Sequence, residues 1–129
     1  MQDKNDFLWF GTQDGLARYD GYNCRIFKQN KPDSLGFQGK SIQCLLEDKQ
    51  GNIWGSTASG IFCYQTKQNK FINYIPPTYD FARSVHNIIC DKQGEIWATT
   101  EWNIVKLNKQ KNIFEEIGPL TPRYDSLRF

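Results

Sequence analysis

The sequence has few of the residues that catalysis or metal binding commonly requires. Its single histidine, His86, falls in a predicted strand, where a structural role is favoured over a catalytic one. Its four cysteines lack the C-x-x-C spacing of metal sites. With 16 basic and 14 acidic residues, the net charge of +2 is too small for a polybasic surface that binds nucleic acid. We therefore expect no enzymatic activity, no metal site, no cofactor and no nucleic-acid partner.

Long hydrophobic runs are also absent. No window approaches the roughly 20 apolar residues of a membrane span, and residues 1–6 lack the apolar core of a signal peptide. We expect no membrane contact by this segment. The cysteines leave the compartment undecided, because most are expected to pack as small hydrophobes, while a disulfide stays open for an exported chain.

The most informative stretch, residues 48–64, has the pattern of a turn, a strand, a second turn and a second strand. Asp48 and Gly51 suit the first turn, since an Asp side chain can accept hydrogen bonds from backbone N–H groups ahead of it. Trp54 is the large apolar residue of the first strand. The β-branched and aromatic residues at 61–64 favour the second strand.

This unit occurs three times, with no drift in its internal spacing. Five marker positions of the second copy are Asp48, Trp54, Thr57, Gly60 and Tyr64. The matching residues lie 45 positions earlier at Asp3, Trp9, Thr12, Gly15 and Tyr19, and 43 positions later at Asp91, Trp97, Thr100, Asn103 and Leu107. A period in the low forties with several short strands per unit is typical of β-propeller blades. The three tryptophans are expected to be buried between sheets.

Residue changes between the copies support the turn assignment. Gly51 corresponds to Asp6 in the first copy, and Gly60 corresponds to Asn103 in the third. Asn and Asp are the non-glycine residues that most often adopt a positive φ. We therefore expect a positive φ at both turns.

Apolar runs of strand length around each unit predict an all-β fold. We expect a partial β-propeller of about three four-stranded antiparallel blades, in which the first blade lacks its inner strand. The single fragment, residues 1–129, divides into repeats at about 3–33, 34–78 and 79–120, and residues 121–129 start the next blade. The predicted strand counts are three, four and four.

Inner and outer strands can be predicted for individual blades. Inner strands are expected at residues 41–47 and 84–90, which are apolar runs suited to the crowded centre of a propeller. Outer strands are expected at residues 24–27, 71–74 and 114–117.

The first unit resembles the two-component-regulator propeller repeat in residues 8–12, 15–16 and 18–22. The resemblance extends over residues 3 to about 117, with departures at Ser56, Ala98 and Thr99. That family fills the periplasmic sensor region of hybrid two-component histidine kinases in Bacteroides-type bacteria. The resemblance implies a periplasmic sensor propeller whose parent protein is anchored in the inner membrane and carries the kinase. This chain itself has no phosphoacceptor segment, nucleotide-binding glycine pattern or receiver domain.

Other propeller families fit the sequence less well. The Asp-box of sialidase-like propellers has one residue between its Asp and Gly, whereas two residues separate Asp48 from Gly51. WD-repeat blades need Gly-His and Trp-Asp dipeptides, and neither occurs. A fragment of another propeller family stays open as the alternative.

Loops at one mouth of the propeller channel contain the candidate ligand-binding residues. These residues are Asp14, Tyr79, Arg83, Glu101 and Trp102. Trp102 stands where the other units have Asp14 and Ser59, and an exposed Trp beside a Glu suits stacking on a sugar ring while the carboxylate accepts from hydroxyls. Alternatively, Trp102 only covers a neighbouring loop. The family resemblance implies oligosaccharide sensing.

Two functions from different classes follow. The first is non-catalytic ligand sensing and signal transduction within a larger periplasmic assembly. The second is a scaffold whose blades only support the array and help it to dimerise. The expected partners are other blades of the parent chain and a second copy, because a closed propeller needs roughly four to eight blades and three cannot close a ring.

Overall fold

The computed structural model describes residues 1–28, 41–57, 60–74, 85–100 and 103–119 of the chain. These residues form eleven β-strands in three antiparallel sheets. Within these ranges there is no helix with the length and apolar character that crossing a membrane requires. The all-β prediction is confirmed.

Each sheet follows the chain order of its strands, and we call the three sheets blades 1, 2 and 3. Blade 1 holds β1 (Leu8–Gly11), β2 (Gly15–Tyr19) and β3 (Cys24–Lys28). Blade 2 holds β4 (Cys44–Glu47), β5 (Ile53–Thr57), β6 (Gly60–Gln65) and β7 (Lys70–Tyr74). Blade 3 holds β8 (Val85–Cys90), β9 (Ile96–Thr100), β10 (Asn103–Asn108) and β11 (Ile113–Pro119). The strand counts are three, four and four, as expected.

The first two residues of the chain lie beside β1, where an inner strand would pair. Met1 and Trp9 exchange two backbone hydrogen bonds, of 3.1 Å from the Met1 amino group to the Trp9 carbonyl and 2.7 Å in return. Gln2 forms an isolated antiparallel bridge with Leu8. This pairing has the register that Leu46 makes with Trp54 in blade 2.

The inner strand of blade 2 begins later than the sequence predicts, at Cys44 instead of position 41. Gln43 N still donates to the Ser56 carbonyl of blade 2 at 2.9 Å, but the two N–H groups before it bond to blade 1. Ser41 N donates to the Gln13 carbonyl at 2.9 Å, and Ile42 N donates to the Thr12 carbonyl at 3.0 Å. The start of blade 2 is thereby attached to the β1–β2 loop.

The blades pack face to face through two hydrophobic clusters. The cluster between blades 1 and 2 contains Trp9, Leu16 and Phe27 of blade 1 and Ile53, Phe62 and Tyr64 of blade 2. The cluster between blades 2 and 3 contains Trp54, Ile61, Cys63 and Tyr74 of blade 2 and Val85, Ile88, Ile96, Ala98, Val105, Leu107 and Phe114 of blade 3. Because successive strand residues point to opposite sides, each blade has a forward face toward the next blade and a backward face toward the previous one.

On the backward face of each blade, two residues that lie opposite each other on neighbouring strands have complementary side-chain volumes. Gly55 lies directly opposite Phe62, and a Cβ on Gly55 would come within 2.3 Å of the Phe62 ring. The missing side chain therefore lets Phe62 lie flat over its own sheet. The equivalent cross-strand pairs are Phe10–Ala17 in blade 1 and Ala98–Val105 in blade 3. Each blade thus combines one larger and one smaller side chain, with the larger one on the first strand of the pair in blade 1 and on the second strand in blades 2 and 3.

All four cysteines are free thiols located in strands. Cys63 is buried, Cys44 and Cys90 are partly buried, and Cys24 is exposed. Burial, with a smaller contribution from the charge of Asp48, raises the pKa of Cys63 to about 12. The Cys63 thiol thus packs as a small hydrophobe.

Candidate functional site

The repeated aspartate organises the turn at one end of every blade. Its Oδ1 accepts backbone N–H bonds two and four residues ahead, as in Asp48 with Gln50 and Asn52, both at 2.9 Å. Its Oδ2 accepts from the tryptophan indole: Asp3–Trp9, Asp48–Trp54 and Asp91–Trp97, each at 2.8 Å. The predicted turn role of Asp is confirmed. Its second role, fixing the indole, could have been inferred from the constant spacing of six residues in the sequence.

The backbone of this first turn is left-handed at the same position in all three blades. Asp6 has φ 68°, Gly51 has φ 87° and Gly94 has φ 85°. The expected equivalence of Asp6 and Gly51 is confirmed. Gly60, expected at positive φ in the second turn, has φ 154°.

The repeated threonine holds the loop at the opposite end of each blade. Its Oγ1 donates to the carbonyl three residues ahead, closing the connection between the two middle strands. The distances are 2.9 Å for Thr12–Gly15, 3.2 Å for Thr57–Gly60 and 3.5 Å for Thr100–Asn103. In blade 1, the same Thr12 oxygen accepts from Asp14 N at 3.1 Å. In blade 1, this contact therefore holds the β1–β2 loop, one of the loops predicted to contact ligand.

Of the five predicted ligand-binding residues, only Asp14 falls within the described part of the chain. It is exposed in the β1–β2 loop, on the end of the blade away from the Asp turns. Tyr79, Arg83, Glu101 and Trp102 lie outside the described residues. Their grouping around one mouth therefore stays a prediction.

A cavity of about 340 Å³ opens between the inner edge of β1 and the inner strand β4. Its walls are mainly backbone and apolar side chains: Met1, Trp9, Phe10, Gly11, Ile42, Gln43, Cys44 and Leu45. Gly11 is required there, because a Cβ on it would lie 2.4 Å from Ile42 Cγ2. Sequence reasoning missed this cavity, since its walls come from two blades.

The single histidine lies on the inner strand of blade 3. His86 is exposed on β8. Its repeat equivalent in blade 2 is Gln43, the residue just before β4. Within the described ranges, no group of three or more His, Cys, Asp or Glu residues could hold a metal ion. Two turn carboxylates have lowered pKa values: backbone N–H groups of Asn23 and Tyr22 lower the pKa of Asp20, and the Trp97 indole lowers that of Asp91.

The sequence comparison finds the two component regulator propeller family in residues 36–59. This match spans the inner strand and Trp-bearing strand of blade 2, whereas the resemblance noted above is most detailed in blade 1. The chain carries this propeller repeat, and the resemblance is confirmed. No curated protein matches the chain.

Solved structures with the same fold include two extracellular domains from B. thetaiotaomicron. One, assigned to a hybrid two component system, is 25% identical with a TM-score of 0.78 and is matched over 92% of this chain. The other, assigned to a one component system, is 24% identical with a TM-score of 0.71 over 89% of this chain. This chain spans 18% of the length of each. Virginiamycin B lyase from Staphylococcus aureus also shares the fold. It is 21% identical with a TM-score of 0.66, and the match covers 93% of this chain and 40% of the lyase chain.

Proposed function

We propose that this chain is a non-catalytic segment of a sensor propeller, acting in the periplasm as part of a hybrid two-component histidine kinase. The proposal is carried by the likeness over 92% of the chain to the extracellular domain of a B. thetaiotaomicron hybrid system. The regulator propeller repeat in residues 36–59 supports it independently. The segment would transmit ligand binding to the kinase through neighbouring blades.

The ligand of this sensor is proposed to be an oligosaccharide. The supporting residues are Trp102 and Glu101, which occupy the loop equivalent to that of Asp14, together with Arg83 and Tyr79 in the preceding connector. An indole can stack on the apolar face of a sugar ring. Carboxylate and guanidinium groups can bind its hydroxyls or an acidic substituent.

A glycan array probed with this chain, and with a longer segment of its parent, tests the ligand class. Trp102→Ala is then measured by calorimetry on the best oligosaccharide, and affinity should fall by at least tenfold, which corresponds to about 1.4 kcal/mol. Tyr22→Ala is the matched control, because Tyr22 is an exposed aromatic at the opposite end of blade 1. Equal affinity for Trp102→Ala and the wild type would show that these loops do not bind the sugar.

The scaffold function is favoured by a separate observation. Large apolar side chains are exposed on the backward face of blade 1 and the forward face of blade 3, among them Phe10, Ile26, Ile89 and Ile117. Such faces are typical of association surfaces, and they support the proposed partners, namely further blades and a second copy. A chain that binds no glycan but associates through these faces would be a scaffold.

A further inference from the structure

We propose that Gln43 and His86, on the inner edges of blades 2 and 3, contact the ligand of the sensor and bind hydroxyl groups of a neutral sugar chain. The two residues would extend the ligand site from the loops into the central channel. Their role therefore rests on the proposed sensing function and adds to it further contact residues and a narrower class of oligosaccharide.

The inner strand of blade 3 contains a β-bulge at the histidine. Val85 lies opposite Thr100 of the neighbouring strand. Asn87 lies opposite Thr99, so His86 is the extra residue between the two pairs. Since Thr100 is the last residue of β9, the bulge lies at the end of the blade where the loop between the two middle strands begins.

The inner edge of blade 2 has the same irregularity at the equivalent position. Cys44 is the residue that lies opposite Ser56. The preceding Gln43 N nevertheless donates to the same Ser56 carbonyl at 2.9 Å. Two residues therefore face one residue of the partner strand, which is the arrangement of a β-bulge. Gln43 and His86 are thus the bulged residues of two successive blades.

Both bulged residues are exposed. Gln43 is exposed although Cys44, the next residue, packs against the hydrophobic cluster between blades 2 and 3. A following blade therefore leaves this position open. Because His86 is the repeat equivalent of Gln43, we expect it to stay accessible when a further blade of the parent chain packs against blade 3.

The bulges lie on the edges of the blades that surround the centre of a propeller. β4 and β8 are each the edge strand of their sheet and the first strand of their blade, and the blades of a propeller are arranged around a central channel. A bulge interrupts the ladder and redirects a side chain, and bulges are common beside functional sites. Exposed side chains at these two bulges are therefore available to a molecule in the channel.

The bulge of blade 2 is attached to a loop that was predicted to contact ligand. Ser41 N donates to the Gln13 carbonyl at 2.9 Å, which holds the start of blade 2 against the β1–β2 loop. Asp14 follows Gln13 in that loop and is exposed. Gln43, two residues after Ser41, therefore lies at the same end of the blades as Asp14.

The side chains at this end suit a ligand that is rich in hydroxyl groups and carries no negative charge. The Gln43 amide both donates and accepts hydrogen bonds, and so does a neutral imidazole such as that of His86. A sugar hydroxyl likewise donates and accepts, so each group can pair with it. The Asp14 carboxylate accepts hydrogen bonds and disfavours an anionic ligand through its like charge.

The experiment is calorimetry with the complete propeller of the parent protein. The probes are neutral hexasaccharides of glucose, xylose, mannose, galactose and fructose, the hexasaccharide of galacturonic acid, and any further sugar that the glycan array identifies. At least one neutral sugar should bind more tightly than the acidic one. Gln43→Ala and His86→Ala should each raise its dissociation constant about tenfold, because each removes a hydrogen-bonding partner of the sugar.

Gln68→Ala is the matched control for Gln43→Ala and should leave the affinity unchanged. Gln68 is an exposed glutamine in the β6–β7 hairpin, at the end of blade 2 where Thr66 Oγ1 donates to the Gly51 carbonyl of the Asp turn. His86→Gln should recover most of the affinity lost in His86→Ala, because blade 2 has Gln at the equivalent position. Circular dichroism melting of each variant separates lost binding from lost folding.

Three results would overturn the proposal. Equal affinity of the wild type, Gln43→Ala and His86→Ala for a bound sugar would exclude both contacts and leave oligosaccharide sensing in place. Tighter binding of the acidic hexasaccharide than of every neutral sugar would exclude the neutral class. Absence of binding to every sugar tested would overturn both these contacts and the proposed oligosaccharide ligand.

Discussion

Blades 2 and 3 contain the same hydrogen bond from a tryptophan indole to a turn aspartate, but the two tryptophan rings have different surroundings. Trp54 and Trp97 each donate to their aspartate at 2.8 Å. Trp54 is 4% exposed, stacked on Tyr74 at 5.5 Å and covered by Phe114 of the next blade. Trp97 is only partly buried, and the Lys106 ammonium lies 4.9 Å from its ring. The expectation that all three tryptophans are buried is therefore confirmed for Trp9 and Trp54 and wrong for Trp97.

The difference separates two kinds of information in a repeat. The hydrogen bond forms wherever the Asp turn forms, because donor and acceptor are six residues apart in one chain segment. Burial of the ring requires another blade, and within the described chain none lies on the forward face of blade 3. Tryptophan at this repeat position should therefore contribute differently to the free energy of unfolding in blades 2 and 3, and mutation can measure the difference.

The largest effect is expected for truncating the covered ring. Trp54→Ala should lower the free energy of unfolding by about 3–5 kcal/mol, because it leaves a cavity between two blades. Trp97→Ala should cost at least about 1 kcal/mol less, since its ring is already partly in water. Urea unfolding followed by circular dichroism measures both. Equal costs would contradict the role given to the neighbouring blade.

The next effect concerns the volume match on the backward faces. Gly55→Ala should destabilise the chain by about 1–3 kcal/mol through overpacking, since the new methyl group would meet the Phe62 ring. Adding Phe62→Val recreates the Ala98–Val105 pair of blade 3 and should recover part of that loss. Thermal melting of the single and double variants checks this. A double variant less stable than Gly55→Ala would exclude the volume match.

A smaller effect is expected at the left-handed turn. Gly51→Ala should cost about 1 kcal/mol or more, because φ is 87° there and Ala tolerates this poorly. Gly51→Asp should cost less, since Asp6 takes the equivalent conformation in blade 1. The comparison uses melting temperatures under identical buffer conditions. An Asp variant that melts below the Ala variant would count against backbone strain as the cause.

The packing between blades 2 and 3 should be less stable at alkaline pH than at neutral pH. Burial, with a smaller contribution from Cys63, raises the pKa of Tyr74 to about 12, although its hydrogen bond to Asn112 opposes the shift. The folded state prefers the neutral phenol, so this contribution is complete below the ordinary value of about 10 and is lost as pH rises through 12. Urea titrations from pH 8 to 12 should show this loss in the wild type and less of it in Tyr74→Phe, with Tyr22→Phe as the control.

The smallest effect is expected at acid pH in blade 3. The hydrogen bond from Trp97 Nε1, helped by backbone N–H donors, lowers the pKa of Asp91. Its stabilising contribution is therefore present above the ordinary value of about 3.9 and lost as pH falls through the lowered value. Trp97→Phe removes the indole donor and should bring the Asp91 titration, followed by carboxyl-detected NMR, back toward the ordinary pKa. No change in that titration would show that the indole bond is not the main cause.

The candidate ligand site was predictable only as far as local contacts reach. Asp14 lies on the β1–β2 loop, which Thr12 holds through two hydrogen bonds, and its role in ligand binding stays a prediction. Tyr79, Arg83, Glu101 and Trp102 lie outside the described residues, so their convergence stays a prediction. The cavity beside Gly11 was missed, because nothing in one repeat indicates that Ile42 of the next blade lies against it.

The sequence by itself determined the repeat, the strand order and the turn conformations of this protein. These features depend on residues close together in the chain, such as Asp48 with Trp54 or Thr57 with Gly60, so their spacing reveals them. Only the tertiary structure decided which faces are covered and why Gly11 must lack a side chain. Those outcomes depend on contacts between blades, such as Trp54 with Phe114 and Gly11 with Ile42, and the sequence has no periodic signal that shows whether a partner blade is present.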